Sequence, residues 1–308
     1  MKILLFGKSG QVGWELQRSL APLGELLPLS SASLGLCGDL RNVEGIAGTS
    51  REISPDVIVN AAAHTAVDKA ESEPELAESL NARGPEALAK AALACDALLV
   101  HYSTDYVFDG SGTRPWTEQD PTGPLSVYGR TKLAGELAIQ RSGCRHLIFR
   151  TSWVYSSKGK NFAKTILKLA AERESLSVIA DQIGSPTGAD LLADVTAHAI
   201  RQAHRDPALS GIYHLCGGGE TSWHGYAAFV CDFARRAGYP LKVETIEPVP
   251  SSAFPTPARR PLNSRLDTSK LRQAFDLSLP RWQDGVERML CEILPAERML
   301  RDIFPDKP

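Results

Sequence analysis

The sequence predicts an α/β fold: a doubly wound parallel sheet with a smaller C-terminal lobe. Three observations predict it. Short apolar runs alternate with longer amphipathic segments through the first half of the chain. A glycine-rich turn, Gly7-Lys8-Ser9-Gly10-Gln11-Val12-Gly13, stands directly behind the first of those runs. The length, 308 residues, allows one large α/β domain or a cofactor domain with a smaller lobe, and a core of that size folds without metal or disulfide.

Taken in order, residues 2–6 (KILLF) read as a buried strand and 11–22 as a helix opening behind glycine. Residues 25–29 (ELLPL) form a weaker strand, 56–60 (DVIVN) a clear one, and 74–95 a long helix. The next strand is 97–103 (ALLVHYS), followed by a helix over 126–142 and a strand over 145–151 (RHLIFRT). Such alternation implies right-handed crossovers and a parallel sheet covered on both faces, with ligands at the C-terminal strand ends. Beyond about residue 155 the rhythm is less regular. Helices are expected at 161–173, 190–204, 222–237 and 283–294, and strands at 176–180, 211–215 and 241–246. Proline punctuates VPSSAFPTPARRP (249–261). The expected organisation is a dinucleotide-binding Rossmann domain over 1–155, with segments from 180–220, and a mainly substrate-binding lobe over 156–308.

Composition narrows the function classes. The formal net charge is −2, so no basic field points to nucleic acid or an anionic membrane. No run reaches the roughly 18–20 apolar residues of a membrane span. The six cysteines, Cys37, Cys95, Cys144, Cys216, Cys231 and Cys291, include no C-x-x-C, which favours reduced cytoplasmic thiols over a zinc or disulfide framework. The apolar run at the N-terminus extends only from Ile3 to Phe6, too short for a signal peptide.

The turn at 7–13 is a GxxGxxG. Glycine permits positive φ and close backbone approach to a pyrophosphate, and the helix behind it supplies unsatisfied N–H groups. A plain glycine-rich turn is the alternative. The end of the second strand normally selects the cofactor, with an acidic residue for a ribose hydroxyl or an arginine for a 2′-phosphate. Leu29-Ser30-Ser31 offers neither. Without a carboxylate to repel a phosphate, the expectation leans to NADPH with NADH tolerated.

Tyr128-Gly129-Arg130-Thr131-Lys132 places tyrosine and lysine at i and i+4, on one helical face. A neighbouring ammonium stabilises a phenolate, which is what a tyrosine with an ordinary pKa near ~10 needs to act as an acid near neutrality. A surface tyrosine over a lysine stem is the competing reading. Context favours chemistry. The strand at 97–103 runs into Ser103-Thr104-Asp105-Tyr106, where a doubly wound sheet displays catalytic groups. Another strand runs into Asn60-Ala61-Ala62-Ala63-His64-Thr65, whose small side chains leave room for a flat cofactor or merely pack closely.

Together, the GxxGxxG, Asp39-Leu40, NAAA at 60–63, Thr104 and YGRTK at 128–132 resemble the extended short-chain dehydrogenase/reductase superfamily. The longer blocks FGKSGQVGWELQRSLAPLG, NAAAHTAVDKAESEPE, HYSTDYVFDGSG, VYGRTKLAGE, FRTSWVYSSKGKNFAKT and PTPARRPLNSRLDTSKL resemble the dTDP-4-dehydrorhamnose reductase family, from residue 2 to about 294. That resemblance implies NAD(P)H-dependent reduction of the 4-keto group of a dTDP-linked 4-keto-6-deoxy sugar. It implies Thr104, Tyr128 and Lys132 as catalytic residues. It implies a dinucleotide on Gly7, Gly10, Gln11, Val12, Gly13, Asp39, Leu40, Ala62, Ala63, His64, Thr65, Tyr128 and Lys132. The sugar nucleotide would meet Val67, Asp68, Thr104, Asp105, Tyr128, Trp153, Arg259 and Arg260. Trp153 has a core tryptophan as its alternative, His64 simple packing, and the two arginines an ordinary surface pair. Related dehydratases carry Asp-Glu after the Ser/Thr, and Tyr106 in place of the second carboxylate favours simple reduction. The family resemblance further implies a homodimer with a structural magnesium held by Glu15, Asp190 and Glu292; the short Asp190 departs from the family's glutamate, and three solvated acids is the alternative. An epimerase or dehydratase on the same fold, or a non-catalytic NADP-binding subunit, are the other functions weighed. The retained Thr104, Tyr128 and Lys132 speak against the last.

Overall fold

The computed structural model describes residues 1–294, so residues 295–308 of the expected C-terminal lobe lie outside the described residues. The chain starts with strand β1 (Lys2–Phe6), helix α1 (Gln11–Leu20) and strand β2 (Glu25–Leu29). Helix α2 (Val43–Ile53), strand β3 (Val57–Asn60), helices α3 (Val67–Ser72), α4 (Pro74–Glu78) and α5 (Gly84–Ala94), and strand β4 (Leu98–Thr104) follow. Helix α6 (Val127–Ser142) and strand β5 (His146–Thr151) complete the first half. Next come strand β6 (Val154–Tyr155), helix α7 (Phe162–Glu172) and strands β7 (Ser175–Ile179), β8 (Ile183–Gly184) and β9 (Thr187–Gly188). Helix α8 (Ala189–Ala203), strands β10 (Gly211–His214) and β11 (Thr221–Ser222), helix α9 (Trp223–Arg236), strand β12 (Thr245–Val249) and helices α10 (Ser269–Phe275) and α11 (Trp282–Ile293) close the described chain.

The main sheet runs β10-β5-β4-β3-β1-β2, and every pairing within it is parallel. Its period-two side chains feed two cores. Ile3 and Leu5 point to the face covered by α1, α8 and α10, with Leu16, Leu192 and Leu271. Leu4 and Phe6 point to the other, with Ile46 of α2, Leu88 of α5 and Ile139 of α6. Two covered faces explain why the strands read as nearly continuous apolar runs. The order reverses between β1 and β3, which opens a crevice at their C-terminal ends. A separate core joins α7, α9 and α11 around Tyr226, Val230 and Trp282. The segments α8 and β10 belong to the sheet layers, and so does α10, although it lies in the stretch expected mainly for the lobe.

Several elements differ from expectation. The helix expected over 74–95 is broken by a π-helical turn at Ser79–Arg83. Pro85 has no N–H to continue the ladder, which accommodates an extra residue just before it. The strand expected at 241–246 lies at Thr245–Val249, because the amides of Lys242 and Val243 are already taken by the Ala170 carbonyl. Helix α2 has no counterpart in the sequence reading, since Gly45, Gly48, Thr49 and Ser50 dilute its pattern.

Candidate active site

The glycine turn forms where β1 ends. Gly7 has φ +88° and donates to Leu29 O at 2.9 Å. A Cβ at Gly7 would stand 2.6 Å from Ala62 N, and one at Gly13 would run into the Gly7 carbonyl. Both glycines therefore let β1, β3 and α1 meet beneath the crevice. The N-cap of α1 is Gly10, with no side chain capping it, so the first-turn amides stay available to an anion. Gln11 Nε2 donates to Lys160 O at 2.7 Å, bringing the turn before α7 over the glycine turn.

Across the crevice, α6 is fixed by its Ser126 cap, whose hydroxyl accepts from Gly129 N at 3.1 Å. Gly129 rests against the Tyr106 carbonyl, with no room for a Cβ. This contact sets Tyr128 beside the end of β4, and the Tyr106 ring stands edge-on to the Tyr128 ring at 5.6 Å. The resulting cleft, about 490 Å³, is lined by Gly10, Gln11, Val12, Ala62, Ala63, Thr65, Val67, Thr104, Asp105, Tyr128, Lys132 and Trp153. These twelve sequence candidates meet in one place.

The electrostatics follow from burial. Lys132 is 2 % exposed, and burial pulls its pKa down to about 8 against the opposing pull of Glu136. Burial pushes Tyr128 up to about 12, although the Thr104 hydroxyl acts the other way. It pushes Asp105 up to about 6. Asp105 Oδ1 accepts from the Thr104 hydroxyl at 3.0 Å, while Oδ2, like the Thr151 and Ser103 hydroxyls, has no partner. A tyrosine that stays protonated across neutral pH is an acid, and unpartnered buried oxygens at a cleft are groups waiting for a ligand.

Other candidates lie elsewhere. The imidazole of His64 is buried and meets Glu73 at 3.2 Å, so that side chain is not in the cleft; Asn81 clasps its backbone at both N (2.8 Å) and O (3.0 Å). Leu40 is 1 % exposed in the core beneath Gly84, and Asp39 is gripped bidentately by Arg41. Asp68 pairs with Arg260 at 2.7 Å, and Arg259 and Arg260 line a neighbouring groove that shares Trp223 with the cleft, with the Arg260 guanidinium close enough to Tyr106 of the cleft to oppose the upward push of burial on its phenol. The metal set expected at Glu15, Asp190 and Glu292 is not assembled within one chain. Among the described residues no group of three His, Cys, Asp or Glu side chains is placed to hold a metal ion. Glu15 faces Asp190 and Glu292, but Arg18 lies 3.7 Å from Glu15, and Arg288 lies 3.5 Å from each of the other two.

The structure adds residues that the sequence reading missed, Thr151, Ser152, Lys160 and Trp223 at the cleft and His101 beneath it, and it brings Asn60 and Tyr106 into the lining as well. Tyr106 and Ser152 adjoin named residues. Trp223 lines the cleft stacked on Trp153, with centroids 3.6 Å apart, which no local pattern announces.

The chain resembles known proteins over nearly its whole length. The family model described as "RmlD substrate binding domain" matches residues 1–294. The dTDP-4-dehydrorhamnose reductase of Salmonella typhimurium is 64% identical over 293 residues, 95% of this chain and 98% of that protein. Among solved structures, a dTDP-4-dehydrorhamnose reductase from Clostridium acetobutylicum has a TM-score of 0.85 at 34% identity, covering 95% of this chain and 99% of that one. One from Bacillus anthracis, in complex with NADP, has a TM-score of 0.84 at 35% identity, covering 95% and 100%.

Proposed function

The chain belongs to the RmlD substrate binding domain family, and from that premise we propose a residue-level account of its chemistry. The activity is NADPH-dependent reduction of the C4 keto group of dTDP-4-dehydro-β-L-rhamnose to dTDP-β-L-rhamnose. The observation that carries the account is the meeting of the glycine turn, Thr104, Tyr128 and Lys132 in one cleft. The glycine cradle and the open α1 amides fit a pyrophosphate, and Ala62, Ala63 and Thr65 would flank the dinucleotide. Bound there, the reduced nicotinamide supplies a hydride.

The chain's own residues do the rest. Thr104 orients the substrate carbonyl. Tyr128, kept protonated by burial, donates its Oη proton to the developing alkoxide. Lys132 holds a positive charge behind it. Trp153 walls the sugar, Asp105 Oδ2 takes a sugar hydroxyl, and Arg259 and Arg260 lie at the groove where the diphosphate would run. The preference for NADPH over NADH rests on the missing carboxylate at Ser30-Ser31 and on Asp39 being neutralised by Arg41.

A cytoplasmic homodimer is the remaining part of the reading. Its support is the trio Glu15, Asp190 and Glu292 on one face, which a second copy would have to complete for magnesium to bind; a dimer lost on chelation is the signature. No described helix is long and apolar enough to cross a membrane. The test of the whole account is reduced-nicotinamide consumption with dTDP-4-dehydrorhamnose in Tyr128→Phe. The expected loss of kcat is about 10²–10⁴-fold with NADPH affinity nearly intact, and an unchanged kcat would remove Tyr128 from the acid's role.

A further inference from the structure

Lys132 Nζ meets two partners on β4, the Tyr102 carbonyl at 2.6 Å and His101 Nε2 at 3.2 Å. The other ring nitrogen of His101, Nδ1, lies 3.1 Å from Asn60 Nδ2. Asn60 Oδ1 in turn accepts from the backbone N–H of Ala62 at 3.1 Å. Asn60 and His101 are each 1 % exposed, so no bulk water intervenes.

A backbone amide only donates, and that fixes the direction of the whole series. Turning the Asn60 amide over would set two donors, Ala62 N–H and the Asn60 NH₂, against each other. In the observed orientation Asn60 Nδ2 donates to His101 Nδ1, which therefore carries the lone pair. Burial first, and the Lys132 charge second, keep His101 neutral. A neutral imidazole with its lone pair on Nδ1 carries its hydrogen on Nε2, the atom that faces Lys132. Every donor in the series points at Nζ. An ammonium has three donors and no acceptor, whereas a neutral amine offers one lone pair. The series is satisfied from end to end only when Lys132 is neutral.

We propose that Ala62, Asn60 and His101 form a one-way donor chain that eases a proton off Lys132, making His101 a positioning residue for proton delivery toward Tyr128. The inference rests on the roles given to Tyr128 and Lys132 above. During reduction Tyr128 Oη loses its proton to the alkoxide. One proton leaving Nζ on the cleft side restores the phenol, and the lone pair left on Nζ accepts the His101 Nε2–H. No proton travels along the chain itself. The remaining charged neighbours leave this bias in place. On α6, the Glu136 carboxylate favours the ammonium but is itself paired with Arg150 of β5 at 2.7 Å. Asp105 at the end of β4 acts on Tyr128. Glu86 and Lys90 of α5 pair with each other at 2.6 Å, Arg83 of the π-helical turn is exposed, and β3 contributes only Asn60.

Nitrogen NMR of the labelled, cofactor-free protein reads the tautomer directly, with the His101 signals assigned by their loss in His101→Gln. The expected ring is protonated on Nε2 alone. A ring protonated on Nδ1, or on both nitrogens, overturns the proposal whatever the activity, so this failure is distinct from a failure of the catalytic assignment. In His101→Phe the donor is gone while apolar bulk stays. The alkaline limb of the kcat/KM profile is then expected to move up by about 0.5–1 pH unit, with NADPH affinity within about 2-fold. A limb that stays in place or moves down also overturns it.

Discussion

Asp105 is a carboxylate that the fold holds at a cost. It is 2 % exposed, and burial pushes its pKa up to about 6 from the usual 3.8 of an aspartate. Between those two values the folded protein binds more protons than the unfolded chain, so stability falls as pH rises through this window and stays lower above it. Asp105→Asn cannot ionise and escapes that loss. The variant is expected to be more stable than the parent at about pH 7, by on the order of 1–3 kcal/mol, and to lose this advantage near about pH 4. Thermal midpoints at both pH values check it, and a variant no more stable at neutrality contradicts it. Its kcat/KM should fall at the same time, because the oxygen left for a sugar hydroxyl becomes an amide donor or a differently placed acceptor. At this scale the sequence was informative wherever chemistry sits in a short motif: the glycine turn, the end of β4 and the Tyr128–Lys132 pair. It was silent where the partner is distant. The pairing of Asp68 with Arg260 spans 192 positions, and nothing local to either residue announces it. His101 looked like one more residue in an apolar strand, because its partners arrive from β3 and α6.

The π-helical turn at Ser79–Arg83 supports the 62–65 segment of the cleft. It carries Asn81, fully buried, which clasps the His64 backbone and receives close packing from α6 at Gly135. Its Nδ2 also reaches Thr131 Oγ1 at 3.1 Å, so the turn, α6 and the 62–65 segment are joined by one side chain. Asn81→Ala leaves the N–H and C=O of His64 without partners, at about 1–3 kcal/mol for each buried group. The expected result is a lower denaturant midpoint and a raised KM for NADPH, with kcat changed less; an unchanged KM would show that the 62–65 segment holds its shape alone. Element types and order were readable because long periodic stretches announce themselves, and most helix ends fell within a residue or two. The π turn was not readable, since one additional residue in a helix leaves the apolar pattern nearly unchanged over so short a distance. Two-residue strands such as β8 and β9 exist only through their partners and carry no pattern of their own.

In the whole molecule, a pair of indoles from distant parts of the chain packs against the core of α7, α9 and α11. Trp153 follows β5 of the main sheet, and Trp223 opens α9 of that core; they lie nearly parallel, 12° apart, and Trp153 adopts φ +48°, a left-handed conformation that a bulky residue takes only under constraint. The stack forms one wall of the cleft, the wall proposed to meet the sugar. Trp223→Ala removes it, and KM for the sugar nucleotide is expected to rise about 2–10-fold with kcat little changed, in keeping with the typical strength of an aromatic pair. Steady-state kinetics at saturating NADPH measure this, and a fall confined to kcat would place Trp223 in the chemistry instead. Gly184 lies against the Trp153 indole, with space for no side chain, so the ring has little freedom to turn without its partner. Two indoles held this close share their electronic transitions, so their ultraviolet absorption acquires a handedness that a lone tryptophan lacks. Circular dichroism in the near ultraviolet would follow the arrival of a sugar nucleotide beside the pair in unlabelled protein.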